Sequence, residues 1–193
     1  MFSPDRMALL VIDAQEALLD PAHAYQADAV VDAIAMLLAH ARRRGVPRIY
    51  MQHDGKNGAW VHQPGWDIHP RLRPEPSEPV IHKRASDSFY ETPLESLLRS
   101  WHVTTLIVAG CQTPYCVDTT CRRAVTLGFN VWLVADAHTT DDQGPIPPDV
   151  AIAHHNYVLD GFGTDRATIS VLPSGELTKR LAGGTTSWVS PGD

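Results

Sequence analysis

The feature that most constrains the fold of this chain is an alternation. Apolar runs of strand length take turns with segments whose apolar residues recur at helical spacing. The strand-like runs fall at residues 8–12, 48–52, 80–82, 106–109, 131–135 and 167–171. Between them, residues 28–44 carry Val30, Val31, Ile34, Leu37, Leu38 and Ala41 on one stripe and stop at Gly45. Residues 93–101 repeat the pattern with Leu94, Leu97, Leu98 and Trp101, and residues 148–159 read as another helix. Alternation of this kind requires right-handed crossovers, so the expected architecture is a three-layer α/β/α fold around a mostly parallel, Rossmann-like six-stranded sheet. A chain of 193 residues supplies one substantial core. We expect a single domain over residues 1–182 and a flexible tail over 183–193, rich in Gly, Ser, Thr and Pro. There is no internal repeat.

Two segments break the rhythm. Residues 53–77 are rich in Gly, Pro and His and have no clear period, and residues 139–147 are a shorter case. Long irregular segments in a compact α/β domain are usually functional or disordered. The first carries Trp60 and Trp66, which favours a pocket wall or lid.

Composition excludes several classes of function. A formal charge of -6 with no long run of one sign argues against nucleic-acid binding. Arg42, Arg43 and Arg44 close a helix, where cations suit the dipole. No run reaches the roughly 18 apolar residues that span a bilayer, and the N-terminal apolar run is too short for a signal peptide. Three cysteines do not form a secreted disulfide framework, and the spacing of Cys111 and Cys116 is not Cys-x-x-Cys. The expected location is therefore the cytoplasm, with no membrane partner. Cys111 and Cys121 read as structural.

Chemistry concentrates at strand ends, where ligands bind in open parallel sheets. Asp13 ends the first strand, Lys83 ends the third and Cys116 follows the fourth. Gly110 permits a sharp turn, Thr113 reads as an N-cap and Pro114 as the first helical residue, with the helix ending at Leu127 before Gly128. A thiol in that first turn feels the positive end of the helix dipole, which favours the thiolate. Each residue has a plainer reading: an Asp can cap a loop, a Lys can be solvated, a Cys can be small core packing. Together at one sheet edge they form a reactive set. A carboxylate can take the thiol proton, an ammonium can hold the carboxylate, and the sulfur can attack a carbonyl carbon.

The runs that carry these residues are Val-Ile-Asp-Ala-Gln at Asp13, Lys-Arg-Ala-Ser-Asp-Ser-Phe-Tyr-Glu-Thr-Pro-Leu from Lys83, and Val-Ala-Gly-Cys-Gln-Thr-Pro-Tyr-Cys-Val-Asp-Thr-Thr-Cys-Arg-Arg-Ala around Cys116. With Val-Trp-Leu-Val-Ala-Asp-Ala at 131–137, they resemble the isochorismatase-like cysteine hydrolases over about residues 6–160. That family includes nicotinamidases and N-carbamoylsarcosine amidase. The resemblance implies a Cys-Asp-Lys triad of Cys116, Asp13 and Lys83. It implies a cis peptide between Cys111 and Gln112, and an oxyanion hole from the backbone N–H groups of Gln112 and Cys116. We read the chain as a hydrolase of a small-molecule amide or carbamoyl bond acting through a thioester, with no cofactor expected. The alternatives are an isochorismatase-type vinyl-ether hydrolase and a catalytically silent binding protein. A Rossmann oxidoreductase is disfavoured because no Gly-x-Gly-x-x-Gly follows the first strand.

Two departures from the family pattern matter. Pro114 stands where many members have an acidic residue. Nicotinamidases carry an Asp-x-His metal motif after the second strand; here Asp54-Gly55-Lys56 puts a lysine at the His position, so no metal is expected. His53, His62 and His69 do not form a recognised ligand spacing, and His154 and His155 read as structural. His53, Trp60, Trp66, Phe89 and Tyr115 are candidate substrate-binding residues. The resemblance and the tryptophans at 60, 66 and 188 together suggest a homodimer or larger assembly.

Overall fold

The computed structural model describes residues 6–141 and 145–181. Strands β1 (Met7–Ile12), β2 (Arg48–His53), β3 (Val80–Lys83), β4 (Thr105–Cys111), β5 (Asn130–Thr139) and β6 (Ile169–Leu172) form one sheet. Its order is β3-β2-β1-β4-β5-β6, and every neighbouring pair is parallel. The expected six-stranded, mostly parallel sheet is found, and it is parallel throughout. Every strand-to-strand connection crosses over, so no hairpin brings in an antiparallel edge.

Helices α1 (Ala27–Arg44), α2 (Leu94–Ser100), α3 (Asp118–Thr126), α4 (Pro148–Leu159) and α5 (Ser174–Leu181) cover the sheet. Strand β1, Met-Ala-Leu-Leu-Val-Ile, is buried along its whole length because both faces are covered. Its side chains divide by parity. Met7, Leu9 and Val11 join a cluster with Ile34, Leu37 and Leu38 of α1 and with Leu177 and Leu181 of α5. Ala8, Leu10 and Ile12 join one with Leu94 and Leu98 of α2, Val125 of α3 and Leu159. Each Leu or Ile so buried contributes about 1.5–3 kcal/mol. Helix α1 ends as expected at Gly45, whose φ of 68° lets its N–H reach back to Ala41 and Arg42 carbonyls.

The differences from expectation lie at element ends. Strand β5 runs on to Thr139 rather than stopping at 135, because its far end stays paired, His138 and Thr139 lying beside Gly110 and Cys111. Helix α5 is absent from the sequence reading. It holds only two turns, and the Asp136 carboxylate caps it, accepting from Ser174 N and Oγ at 2.7 Å each. A cap supplied from another strand leaves no local signal. The expected domain boundary, the tail and Trp188 lie outside the described residues. Among the described residues, no helix is long and apolar enough to cross a membrane.

Strand order reverses at β1, with β2 on one side and β4 on the other. A crevice opens at such a point, beyond the carboxyl ends of the strands.

Candidate active site

Three elements deliver reactive side chains to that crevice. At the end of β1, Asp13 takes a positive φ of 47°, which Asp tolerates better than most residues. Its N–H still donates to Met51 at 2.9 Å. At the end of β3, Lys83 places its ammonium 2.7 Å from Asp13 Oδ2, with both side chains almost wholly buried. The same ammonium donates to the Ala85 carbonyl at 3.0 Å. Cys116 brings the third group. Its Sγ, a carboxylate oxygen of Asp13 and a ring nitrogen of His53 all lie within 4.8 Å of one another.

The approach to Cys116 depends on Gly110, at φ 126°. A Cβ there would meet the Ile12 carbonyl oxygen at 1.9 Å, so only glycine lets β4 lie against β1 at this level. The next peptide bond, Cys111–Gln112, is cis. A turn of π-helix then spans Thr113–Val117 and leads into α3. Thr113 is not the N-cap. That position belongs to Gln112, which makes no side-chain cap hydrogen bond. The Thr113 hydroxyl is buried and committed elsewhere, 2.8 Å from His138 Nδ1. His138 Nε2 lies 2.9 Å from Asn156 Oδ1, and Asn156 Nδ2 donates to the Ala135 carbonyl at 3.2 Å. The Asn156 amide is oriented by that last bond, so His138 carries its proton on Nε2 and accepts from Thr113 at Nδ1. Burial holds His138 neutral, its pKa lowered to about 4. The sequence reading missed this chain, whose members lie far apart along the polypeptide.

Burial also sets the resting protonation of the reactive groups. It raises Asp13 above the usual carboxylate range, against the pull of Lys83. For Lys83, burial disfavours the charge, but Asp13 and Cys116 outweigh it and the ammonium persists. Burial and then the Asp13 carboxylate push the Cys116 thiol up to about 12, with Lys83 opposing. Desolvation and the neighbouring anion thus oppose the thiolate that a helix end favours. Cys111 and Cys121 are fully buried thiols, raised by burial, as suits structural residues.

The candidate substrate-binding residues separate. His53 is half-buried in the crevice, with its pKa lowered by burial and then by Lys83. Its Nδ1 has no hydrogen-bond partner among the described residues. Tyr115 is exposed beside Cys116. Phe89 lies in the core, stacked on Phe129 with centroids 6.0 Å apart. Trp66 is turned inward: it stacks on His82 at 5.7 Å and donates its indole N–H to Asp54 at 3.2 Å. Trp60 is half-buried over Gly55. The surface exposure expected of Trp66 as support for assembly is thus not found, because its ring packs the interior of its own loop.

That loop is tied to the sheet by one side chain. Gln15, fully buried, donates to the carbonyls of His53 (3.1 Å) and Trp66 (2.7 Å) and accepts from His53 N–H at 2.8 Å. Gln52 adds a second bond to Trp66 O, at 3.0 Å. The loop is therefore a held wall at the His53 side of the crevice.

Asp13, His53 and Cys116 are the group among the described residues that could ligate a metal ion. The donor set fits poorly, because the Lys83 ammonium already sits against the carboxylate. Lys56, at the position of the nicotinamidase histidine, is exposed and bears no metal-binding lone pair at neutral pH.

Comparisons with known proteins bear on the family and the fold. The isochorismatase domain model matches residues 7–145. A streptothricin hydrolase from Streptomyces noursei is 42% identical over 147 residues, 75% of this chain and 53% of that protein. The chain thus spans about half the length of the streptothricin hydrolases it matches. The ureidoacrylate amidohydrolase RutB of Methylobacterium radiotolerans is 29% identical over 182 residues, 74% of this chain and 69% of its own. Among solved structures, an isochorismatase-family protein from Chromobacterium violaceum superposes with a TM-score of 0.81 at 34% identity, covering 94% of this chain and 96% of that one.

Proposed function

Because the chain belongs to the isochorismatase family, we propose that it is a cysteine-dependent hydrolase of a small-molecule carbon–nitrogen bond of amide or carbamoyl type. The observation that carries this reading is the meeting of a buried Asp13–Lys83 ion pair with the Cys116 thiol at neighbouring strand ends. Similarity to proteins named as a streptothricin hydrolase and a ureidoacrylate amidohydrolase supports the choice of bond.

The resting protonation suits the reaction. A carboxylate with a raised pKa is a competent base, and a thiol beside it keeps its proton until a carbonyl arrives. As Sγ bonds to the carbonyl carbon, Asp13 takes the thiol proton. The carbonyl electrons move to oxygen, and the backbone N–H groups of Gln112 and Cys116 hold the oxyanion. Collapse breaks the carbon–nitrogen bond, and Asp13 returns the proton to the leaving nitrogen. Water then attacks the thioester with Asp13 again as base. The acid product leaves and Sγ regains its proton. Lys83 stays charged throughout and fixes the carboxylate. His53, neutral with a vacant Nδ1, orients the substrate, and Tyr115 borders the mouth.

An ammonia-release screen over small amides, ureas and carbamoyl compounds tests the proposal, with Cys116→Ala as control. Turnover that disappears in the control, and an acyl adduct on the Cys116 peptide in quenched mass spectra, are the expected results. Turnover retained by Cys116→Ala would reject the mechanism.

A further inference from the structure

Strand β5 changes register where it passes the turn that carries Cys116. Leu133 lies beside Val108, but Gly110, two residues on, lies beside His138. A bulge of this kind re-aims side chains, and bulges gather next to active sites. Here it lays residues 138–141 as an arm along the turn. His138 meets the Thr113 hydroxyl at 2.8 Å. Three residues further on, the Asp141 carboxylate accepts from the Gln112 side-chain amide at 3.0 Å. Gln112 and Thr113 are the residues at which β4 gives way to the turn. The arm is itself pinned from the other side. Tyr25 donates its N–H to the Thr140 carbonyl at 3.0 Å, and the Thr139 hydroxyl donates to the Tyr25 carbonyl at 2.6 Å. Behind His138, a cavity of about 250 Å³ opens among Tyr25, Val30 of α1, Asp136 and Ile152 of α4. Groups that line a cavity lose packing contacts on that side, which leaves the placing of the arm to its hydrogen bonds.

We propose that Asp141 is a positioning residue for the reaction: through the Gln112 side chain it fixes the backbone from which the Gln112 and Cys116 N–H groups reach the substrate oxygen. The inference rests on the cysteine mechanism proposed above and adds a residue to it. Gln112 starts the turn without capping it through its own side chain, and among the described residues its amide is held by Asp141. Thr113 is held by His138. Two adjacent side chains tied to one arm restrict the backbone between them, on which the direction of the turn depends. Negative charge grows on the substrate oxygen only as sulfur attacks, so the N–H groups matter more in the transition state than in the bound substrate. Loosening the turn should therefore lower kcat and leave KM nearly unchanged. A carboxylate acting only through its charge would oppose the oxyanion, and its removal would raise kcat instead.

Asp141→Ala and Asp141→Asn, which keeps an acceptor for Gln112, test it on the full chain. Asp141→Ala should lower kcat by about tenfold or more at unchanged KM, and Asp141→Asn should stay within about threefold of the unaltered protein. Two reagents separate the turn from the thiol. Iodoacetamide alkylates sulfur by displacing iodide and forms no oxyanion, so its rate on Cys116 should be the same within about twofold in Asp141→Ala. Propionaldehyde uses the turn. Sulfur bonds to its carbonyl carbon, the carbonyl π electrons move to oxygen, the thiol proton passes to that oxygen, and nothing leaves. Its affinity for Cys116, read by NMR of carbon-13-labelled aldehyde with Cys116→Ala as blank, should fall about tenfold in Asp141→Ala. Should the amide screen yield no substrate, the aldehyde affinity decides alone. Unchanged aldehyde affinity in Asp141→Ala overturns the inference. So does an unchanged or raised kcat, a loss that Asp141→Asn shares in full, or an equal loss of alkylation, which would mean general collapse of the site. An unaltered protein that forms no aldehyde adduct at Cys116 defeats the cysteine mechanism itself, and this inference with it.

Discussion

Asp13 and Lys83 are each acceptable in the interior only because of the other. Desolvating two ions costs several kcal/mol apiece, and their attraction offsets this only while both are present. Lys83→Met should therefore destabilise the fold by about 3–5 kcal/mol by leaving a buried carboxylate unpaired. Adding Asp13→Asn should recover much of that loss without restoring turnover, as urea unfolding of the single and double variants would show. A double variant no more stable than Lys83→Met would contradict the account. His138 makes a second prediction, with the opposite sign to that of a paired histidine. Its folded pKa of about 4 lies below the usual value near 6.5, so between those pH values the unfolded chain binds a proton that the native state does not. Stability contributed by neutral His138 is fully present above the upper value and is lost as pH falls towards the lower one. Unfolding titrations across this window should lose up to about 1.4 kcal/mol per pH unit from this residue. The dependence should be shallower in His138→Gln.

At the scale of elements, the site exists because β1 and β4 approach more closely than side chains normally allow. The carbonyl of Ile12 occupies the place a Cβ would take at Gly110. Gly110→Ala must separate the two strand ends or distort a backbone region open essentially to glycine alone. It should cost more than about 3 kcal/mol and fall among the severe single substitutions. A melting temperature within a few degrees of the unaltered protein would show the strands to be more yielding than the geometry implies. The turn after Gly110 is held from behind. Thr113 leans on His138 of β5, which leans on Asn156 of α4, so three elements share the placing of Cys116. This explains what the sequence could and could not convey. Strand ends were legible because an apolar run closed by Asp13 or Lys83 writes its boundary locally. The Thr113 hydroxyl was assigned to its own helix because a cap is the commonest local use of threonine, and nothing nearby betrays a histidine 25 residues away. The orientation of Trp66 was illegible for a similar reason: its partners, Asp54 and His82, belong to two different strand ends.

For the whole molecule, a parallel sheet with both faces covered leaves chemistry to the strand ends and variation to the loops beyond them. The positive charge that a metal would bring to this crevice is already supplied by Lys83, and Lys56 removes the histidine that a nicotinamidase-type centre would use. Hydrolysis should accordingly persist after strong chelators, in controls that keep Cys116 reduced. Activity lost on chelation and restored by zinc, manganese or iron would contradict this. The architecture itself was readable from the alternation of periods, since each crossover helix and its strand are continuous in the chain. The all-parallel order and the short capped helix α5 needed contacts between distant segments. Gln15 carries a consequence for how such a protein can change. By gripping the backbone at His53 and at Trp66, it insulates one side of the crevice from the stretch between them. Lys56, Asn57, Ala59, Gln63 and Pro64 are exposed on that stretch. Substitutions there can accumulate under drift while His53 keeps its station, so the outer stretch of this loop can diverge by single steps that leave the reactive centre undisturbed.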